Sequence, residues 1–398
     1  MPTSLTFNPY DYQIHENPYP VYARLREEAP LYRNEEQDFW ALSRHADVTA
    51  AFRDFAQFSS ANGVSLDPAA WGRNAYKTMS FLALDPPRHT RMRALVSKGF
   101  TPRRVRDLEQ RIRDLTAGHL DKCLASTEFD FIADFAGLLP MDVISETVGV
   151  PEADREKLRR LSDIVVHRED GLFDVPRAGM EAALELVGYY ADMIAGRRAA
   201  AGSRDDLTDA LLAAEIDGDR LADDEIIGFL LLMGVAGNET TTKLLANAVY
   251  WGWRNPDQLA GPMSDPARIG AWVEETLRYD ASTQVLARTV AEDFTAYGQT
   301  VEAGQRLLLL AGAANRDPAV FDNPDEYRID RDTSALISFG AGRHYCLGAN
   351  LARLEAQVAL TEFTRRVSRL EIDEARIVRV HSVNVRGFAR LPMTVQAR

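Results

Sequence analysis

Thiols are almost absent from this chain: 398 residues hold two cysteines, Cys123 and Cys346. So few exclude a disulfide framework and any zinc or iron–sulfur site built from several cysteines, and they point to a reducing, cytoplasmic setting. Basic charge is also short. Lys and Arg number 46 against 59 Asp and Glu, a formal net charge of −13, so the basic field needed to neutralise nucleic-acid phosphates is missing. The longest apolar window, Ile226–Gly237, has 12 residues, short of the roughly 20 that span a membrane. The N-terminal stretch "MPTSLTFNPYDYQIHENPYP" has no basic segment followed by an apolar one, so neither a signal peptide nor a membrane anchor is expected. With no internal repeat and no Ser/Gly-rich linker, residues 1–398 are read as one domain.

What is present fits a globular protein: 46% hydrophobic and 26% charged residues. "NPYPVYARLREEAP" predicts a helix ending before Pro30, and "LYRNEEQDFWALSR" predicts a hairpin around a polar turn. Helical patterns dominate from about residue 89 to 280. The longest runs from Asp224 to Arg254, with acidic residues at its positive end and Asn255-Pro256 as its stop; being apolar nearly all round, it is expected to be buried. Beyond it, "ARTVAEDFTAYGQTVEAGQRLLLL" predicts paired strands with turns at Tyr297-Gly298 and Ala303-Gly304, and "VRVHSVNVRGFARLPMTV" is again strand-like. The expected class is mainly α with small β-sheets.

The chemistry starts at "SFGAGRHYCLGANLAR", residues 338–353. Cys346 stands just before a helical pattern, where unpaired backbone N–H groups favour an anionic sulfur, so an easily deprotonated thiol is expected. Gly340, Gly342 and Gly348 permit positive φ and a close approach of backbone to a flat ligand. Phe339-x-x-Gly342-x-His344-x-Cys346-x-Gly348 resembles the haem-thiolate signature of the cytochrome P-450 superfamily, and the likeness extends over essentially the whole chain. The resemblance implies that family's triangular fold, with haem b (iron protoporphyrin IX) between the long distal helix and the helix after the cysteine. It also implies that Cys346 is the iron's axial ligand, that Phe339 packs beside the sulfur and that His344 reaches a propionate.

Within the long helix, "AGNETTT" buries a carboxylate and three hydroxyls, which costs free energy unless they find partners. A helix kink with hydroxyls bonded one turn back is one reading. The resemblance gives another: Glu239 and Thr240 match the family's acid–alcohol pair for proton delivery, and Ala236 and Gly237 leave room for O2. Glu239 stands where soluble bacterial members often carry aspartate, which lengthens the relay. Glu275 and Arg278 match the family's Glu-x-x-Arg, with Arg331 as third partner, a structural network holding the cysteine loop. Haem propionates require cations; His89 and Arg93, spaced i, i+4, and Arg288 match the family's contacts beside His344. Arg88 and Arg91 are read as solvated, Cys123 as core packing, and His15, His45, His119, His167 and His381 receive no ligand role.

The implied reaction inserts one oxygen atom of O2 into a small hydrophobic substrate. No G-x-G-x-x-G or cysteine cluster suggests a built-in reductase, so a separate ferredoxin and its flavoprotein reductase are implied, docking on a local basic face drawn from Arg91, Lys98, Arg103, Arg104 and Arg343. A peroxygenase or rearrangement catalyst on the same haem-thiolate is the alternative, and a non-catalytic haem sensor a third. Expected substrate contacts, by family position, are residues 64–82, "HREDGLFDVP", Leu232, Val235, Ala236, Val285 and Leu286.

Overall fold

The computed structural model describes residues 5–200, 204, 206–216 and 218–398. The helix Asp223–Arg254 is the axis on which the other elements are assembled. Glu225 Oε2 accepts from the Ala222 N–H at 3.1 Å, and Asp223, Asp224 and Glu225 sit in the first turn, where the dipole favours acids. At the other end, the Asn255 side chain donates to the Trp251 carbonyl at 2.8 Å and Pro256 opens the next helix. Helices Leu139–Val148, Glu152–Val166, Arg177–Ala199, Ile269–Tyr279 and Ala349–Arg366 all pack on it. Apolar residues point in every direction around its length, so it is buried on nearly all sides, as its sequence predicts.

The expected hairpin forms from Leu31–Asn34 and Phe39–Leu42, and it belongs to a five-stranded sheet. There Arg306–Leu309 runs parallel to Phe39–Leu42 and antiparallel to Leu286–Val290, with Leu307 opposite Arg288. Strand alternation puts Leu286 and Arg288 on one face and Ala287 on the other. In a second sheet Pro392–Ala397 pairs on one side with Val367–Ile372 and on the other with Glu128–Asp130. The sequence pattern misses that last strand, because its partner lies more than 250 residues away.

One expectation needs correction. The strand-like C-terminal stretch is strand only at Val378–Arg379, Phe388–Arg390 and Pro392–Ala397; residues 381–387 form a loop held by an isolated bridge from Val385 to Thr283. Gly387 in this loop faces the long helix so closely that a Cβ there would stand 2.6 Å from Lys243 Cβ. A side chain at 387 is therefore excluded by packing.

Candidate active site

A largely apolar cavity of about 1390 Å³, its open mouth included, lies between the long helix and the segment that carries Cys346. Ala236, Gly237 and Thr240 line it from the helix, and Phe339, His344, Cys346 and Gly348 from the loop. Arg93 and Arg288 enter from the helix Arg88–Val96 and the sheet. The fold thus gathers residues more than 100 positions apart.

The loop is shaped by two left-handed glycines, Gly340 and Gly342, both at φ 69°. The Cys346 N–H donates to the Phe339 carbonyl at 3.0 Å and closes the turn. At Gly342 a Cβ would lie 3.1 Å from Arg53 Cα, so the turn also demands a bare residue for space. Gly348 differs from expectation: its φ is −85°, an ordinary value, and a Cβ would meet no protein atom within 4 Å. Its side faces the cavity. Behind the loop, Arg353 stacks on Phe339 at 4.5 Å and is held bidentately by Glu274 at 2.6 and 3.0 Å.

The expectation of an easily ionised thiol is corrected. Cys346 presents its surface to the cavity while protein encloses it from bulk solvent, and burial pushes the thiol up. The Gly348 and Ala349 backbone N–H groups, Arg93 and Arg353 pull the other way without overcoming burial. The sequence showed the helix N-terminus and not the desolvation. A cation bound at the sulfur reverses the balance, because a coordinating thiol is deprotonated outright.

Near the sulfur lies a group of basic side chains without counter-charges. His89 and His344 stand with ring centroids 4.2 Å apart. Neither has a side-chain hydrogen-bond partner, and Arg93 Nη1 is likewise unpartnered. Burial lowers the two imidazoles to about 4 and about 2, lowers Arg93, and brings Arg288 down to about 10. The acid whose charge acts on Arg288 and His89 is Asp85, already bonded to Ser59 and to the Ser60 N–H. Burial keeps the two imidazoles neutral and leaves the two guanidiniums as buried cations without a bonded anion, which is costly. Two carboxylates brought by a ligand would relieve all four groups, which is the charge pattern of haem propionates. A soft sulfur in a largely apolar cavity that basic side chains also line fits haem.

The acid–alcohol pair divides. Thr240 lines the cavity and its hydroxyl donates to the Ala236 carbonyl, one turn back, at 2.8 Å. Glu239 points away, into the contact with the helix Glu152–Val166, where Lys243 Nζ lies 3.1 Å from its Oε2. The helix stays unbroken through this segment. Glu355, which sequence reasoning did not single out, also lines the cavity; burial alone raises its carboxyl to about 8.

The Glu275–Arg278–Arg331 network is present and buried. Arg278 binds Glu275 bidentately at 2.7 and 2.8 Å. Arg331 reaches Glu275 at 3.6 Å and gives most of its donors to the carbonyls of Asp322, Asn323 and Glu326. Of the expected substrate contacts, Val64, Leu82, Leu232, Ala236 and Leu286 line the cavity, whereas Val235, Val285 and residues 167–176 do not. Ile144, Thr283 and Leu351 join the wall, brought there by tertiary packing that no local pattern announces. Arg91 leaves the proposed basic face, because it pairs with Asp219 and with Glu225 at 2.8 Å. Arg103, Arg104 and Arg343 remain exposed.

A mainly helical protein that sets a cysteine and buried basic side chains around a largely apolar cavity carries the residues of the haem-thiolate class of enzymes. The comparisons name the family. Residues 269–383 match the family model described as Cytochrome P450. Over 395 residues the chain is 60% identical to cytochrome P450 123 of Mycobacterium tuberculosis, covering 99% of this chain and 98% of that one. It is 36% identical to the vitamin D(3) 25-hydroxylase of Pseudonocardia autotrophica over 390 residues, 96% of this chain and 95% of that one. Its fold superposes on the solved cytochrome P450 CYP109Q5 of Chondromyces apiculatus with a TM-score of 0.88 at 32% identity, covering 98% of each chain. The chain belongs to the cytochrome P450 family and is a haem-dependent monooxygenase of that family. Among the described residues, no helix is long and apolar enough to cross a membrane.

Proposed function

We propose that this chain uses haem b, ligated through the Cys346 thiolate, to insert one oxygen atom of O2 into a small hydrophobic substrate in the cytoplasm. Electrons would come from a ferredoxin and its flavoprotein reductase, with Arg103, Arg104 and Arg343 as candidate docking charges. The observation that carries the reading is the common cavity of Cys346, Thr240, Arg93, Arg288 and His344, with His89 stacked against His344 behind it. When bound, a thiolate-ligated haem supplies oxygen activation.

The chain's own residues have definable tasks. His89, Arg93, Arg288 and His344 neutralise and orient two propionates. Thr240 offers hydroxyl lone pairs to a water or ligand while its proton is held by the Ala236 carbonyl. Val64, Leu82, Leu232 and Leu286 exclude water and favour an apolar substrate, an expectation that the relative named for vitamin D(3) shares.

The test is the absorption spectrum of the reduced protein under carbon monoxide, for wild type and Cys346→Ser. A strongly red-shifted Soret band that disappears in the variant is expected. An unshifted band in both proteins refutes Cys346 as ligand.

A further inference from the structure

The charges that line the cavity can be counted against what haem brings. Among the described residues, the guanidiniums in its wall are Arg93 and Arg288, and the one carboxyl is Glu355. Two guanidiniums meet two propionates, so no positive charge is left over for anything else bound there. The bases next behind the wall are already engaged. Arg168 binds Asp67, three residues on from Val64, through two hydrogen bonds of 2.9 and 2.7 Å. Lys243, beside Leu244, pairs with Glu239 at 3.1 Å. Arg386, whose N–H donates to the Ser282 carbonyl at 2.8 Å, gives its side chain to Asp280 at 2.7 Å. A substrate anion would therefore lie in this cavity without a partner, which an apolar surrounding penalises heavily.

The same wall offers an uncharged partner. Along residues 281–290 only Thr283 and Leu286 are not buried, and both line the cavity, so their open surface is the cavity's. Among the described residues, the Thr283 hydroxyl has no hydrogen bond to the protein. Of the other hydroxyls in the wall, Thr240 and Ser338 donate to carbonyls, and Thr241 and Ser282 are nearly enclosed. The Thr283 backbone, in contrast, is fixed. Thr283 bridges to Val385, the Gln284 N–H donates to the Asn384 carbonyl at 2.9 Å, and the Asn384 side chain donates to the Val285 carbonyl at 2.9 Å. A hydroxyl on so rigid a segment is placed before anything binds, so a hydrogen bond to it forms at little entropic cost. A purely apolar molecule that displaces water from it leaves it unbonded, which weakens binding.

We infer that the substrate of this site carries no anionic group: it is a neutral molecule with a hydroxyl or carbonyl oxygen on an otherwise apolar frame, and Thr283 binds that oxygen. A hydroxyl both donates and accepts, so the same side chain serves an alcohol and a ketone. A fatty acid or other carboxylate is rejected by the missing cation, whatever the shape of its apolar part. The inference deepens the monooxygenase reading and rests on it, because Arg93 and Arg288 are taken up only when haem is bound.

Dissociation constants of the holoenzyme at pH 8 test this with two matched pairs, 1-dodecanol against dodecanoate and 1-adamantanol against adamantane-1-carboxylate. Each is read by equilibrium dialysis and by the shift of the Soret band. In at least one pair the alcohol should bind about tenfold or more tighter than its acid. For that alcohol Thr283→Val should raise the dissociation constant about 3–10-fold, the range for one neutral hydrogen bond, and Thr283→Ser should restore it. Because the hydroxyl has no partner in the protein, the valine variant is expected to melt with wild type. Acids that bind as tightly as their alcohols, or two alcohols that fail to bind at their solubility limits, overturn the neutral class. A dissociation constant unchanged in Thr283→Val overturns the role of Thr283. Dialysis reads binding whatever ligand the iron has, so failure of the Cys346→Ser spectrum strikes the monooxygenase reading and leaves these constants to be judged separately.

Discussion

Arg278→Lys is the substitution whose cost the structure allows to be worked through. A guanidinium has five N–H donors in a fixed fork, and Arg278 uses all of them. They go to both Glu275 oxygens and to the carbonyls of Asn315 at 3.1 Å, Pro324 at 2.9 Å and Glu326 at 3.2 Å, with the side chain fully buried. Lysine keeps the charge but has three donors on a point, so at least two of the five hydrogen bonds are lost. A hydrogen bond to a charged group contributes about 1.5–3 kcal/mol, for a loss of about 4 kcal/mol. With an unfolding entropy of about 2.1 cal/mol/K per residue, that loss lowers Tm by about 5 °C for a chain of 398 residues.

The damage should also reach the cysteine. Asn315, whose carbonyl Arg278 holds, accepts from the Ile337 N–H at 2.8 Å and donates to Ser338 Oγ at 2.7 Å. Those residues lead straight into Phe339 and the turn that carries Cys346. Calorimetry and the Soret absorbance per mole of protein, measured on the same preparations, should both fall in Arg278→Lys. A variant that melts with wild type and retains full haem refutes the donor count and the mechanical link together.

How much of this was legible in the sequence depends on the distance over which each feature is determined. The cysteine turn was readable because its requirements are local: Gly340 and Gly342 sit at positive φ, and no other residue type does so cheaply. The direction of Glu239 was not, since helical periodicity gives 100° steps along one helix but does not say which neighbour each face meets. A signal was present in the i, i+4 pair Glu239 and Lys243, two opposite charges in an apolar helix, which calls for a buried ion pair. Arg91 looked free because its acidic partners follow 128 and 134 residues later. Thiol ionisation misled for another reason: the helix dipole is local, whereas desolvation belongs to the whole fold.

Acid should expose the N-terminal packing. His15 is buried with Nε2 2.9 Å from the Pro9 carbonyl, and burial lowers it to about 4. Its folded value lies below the unfolded one, so stability is full above about pH 6.5 and falls by about 3 kcal/mol as pH drops to 4; His15→Gln should flatten that limb in urea titrations at pH 7 and pH 4.5, and an unchanged limb counts against it. Gly387→Ala places a methyl group 2.6, 2.8 and 3.0 Å from Lys243 Cβ, Cγ and Cδ, and because those atoms are fixed to a buried helix, the loop must yield or the ammonium must leave Glu239. Either response costs about 1–3 kcal/mol. Displacement of Lys243 breaks its buried ion pair with Glu239, so the melting temperature should fall in either case. A variant that melts with wild type shows that residues 381–387 do not press on the long helix at all.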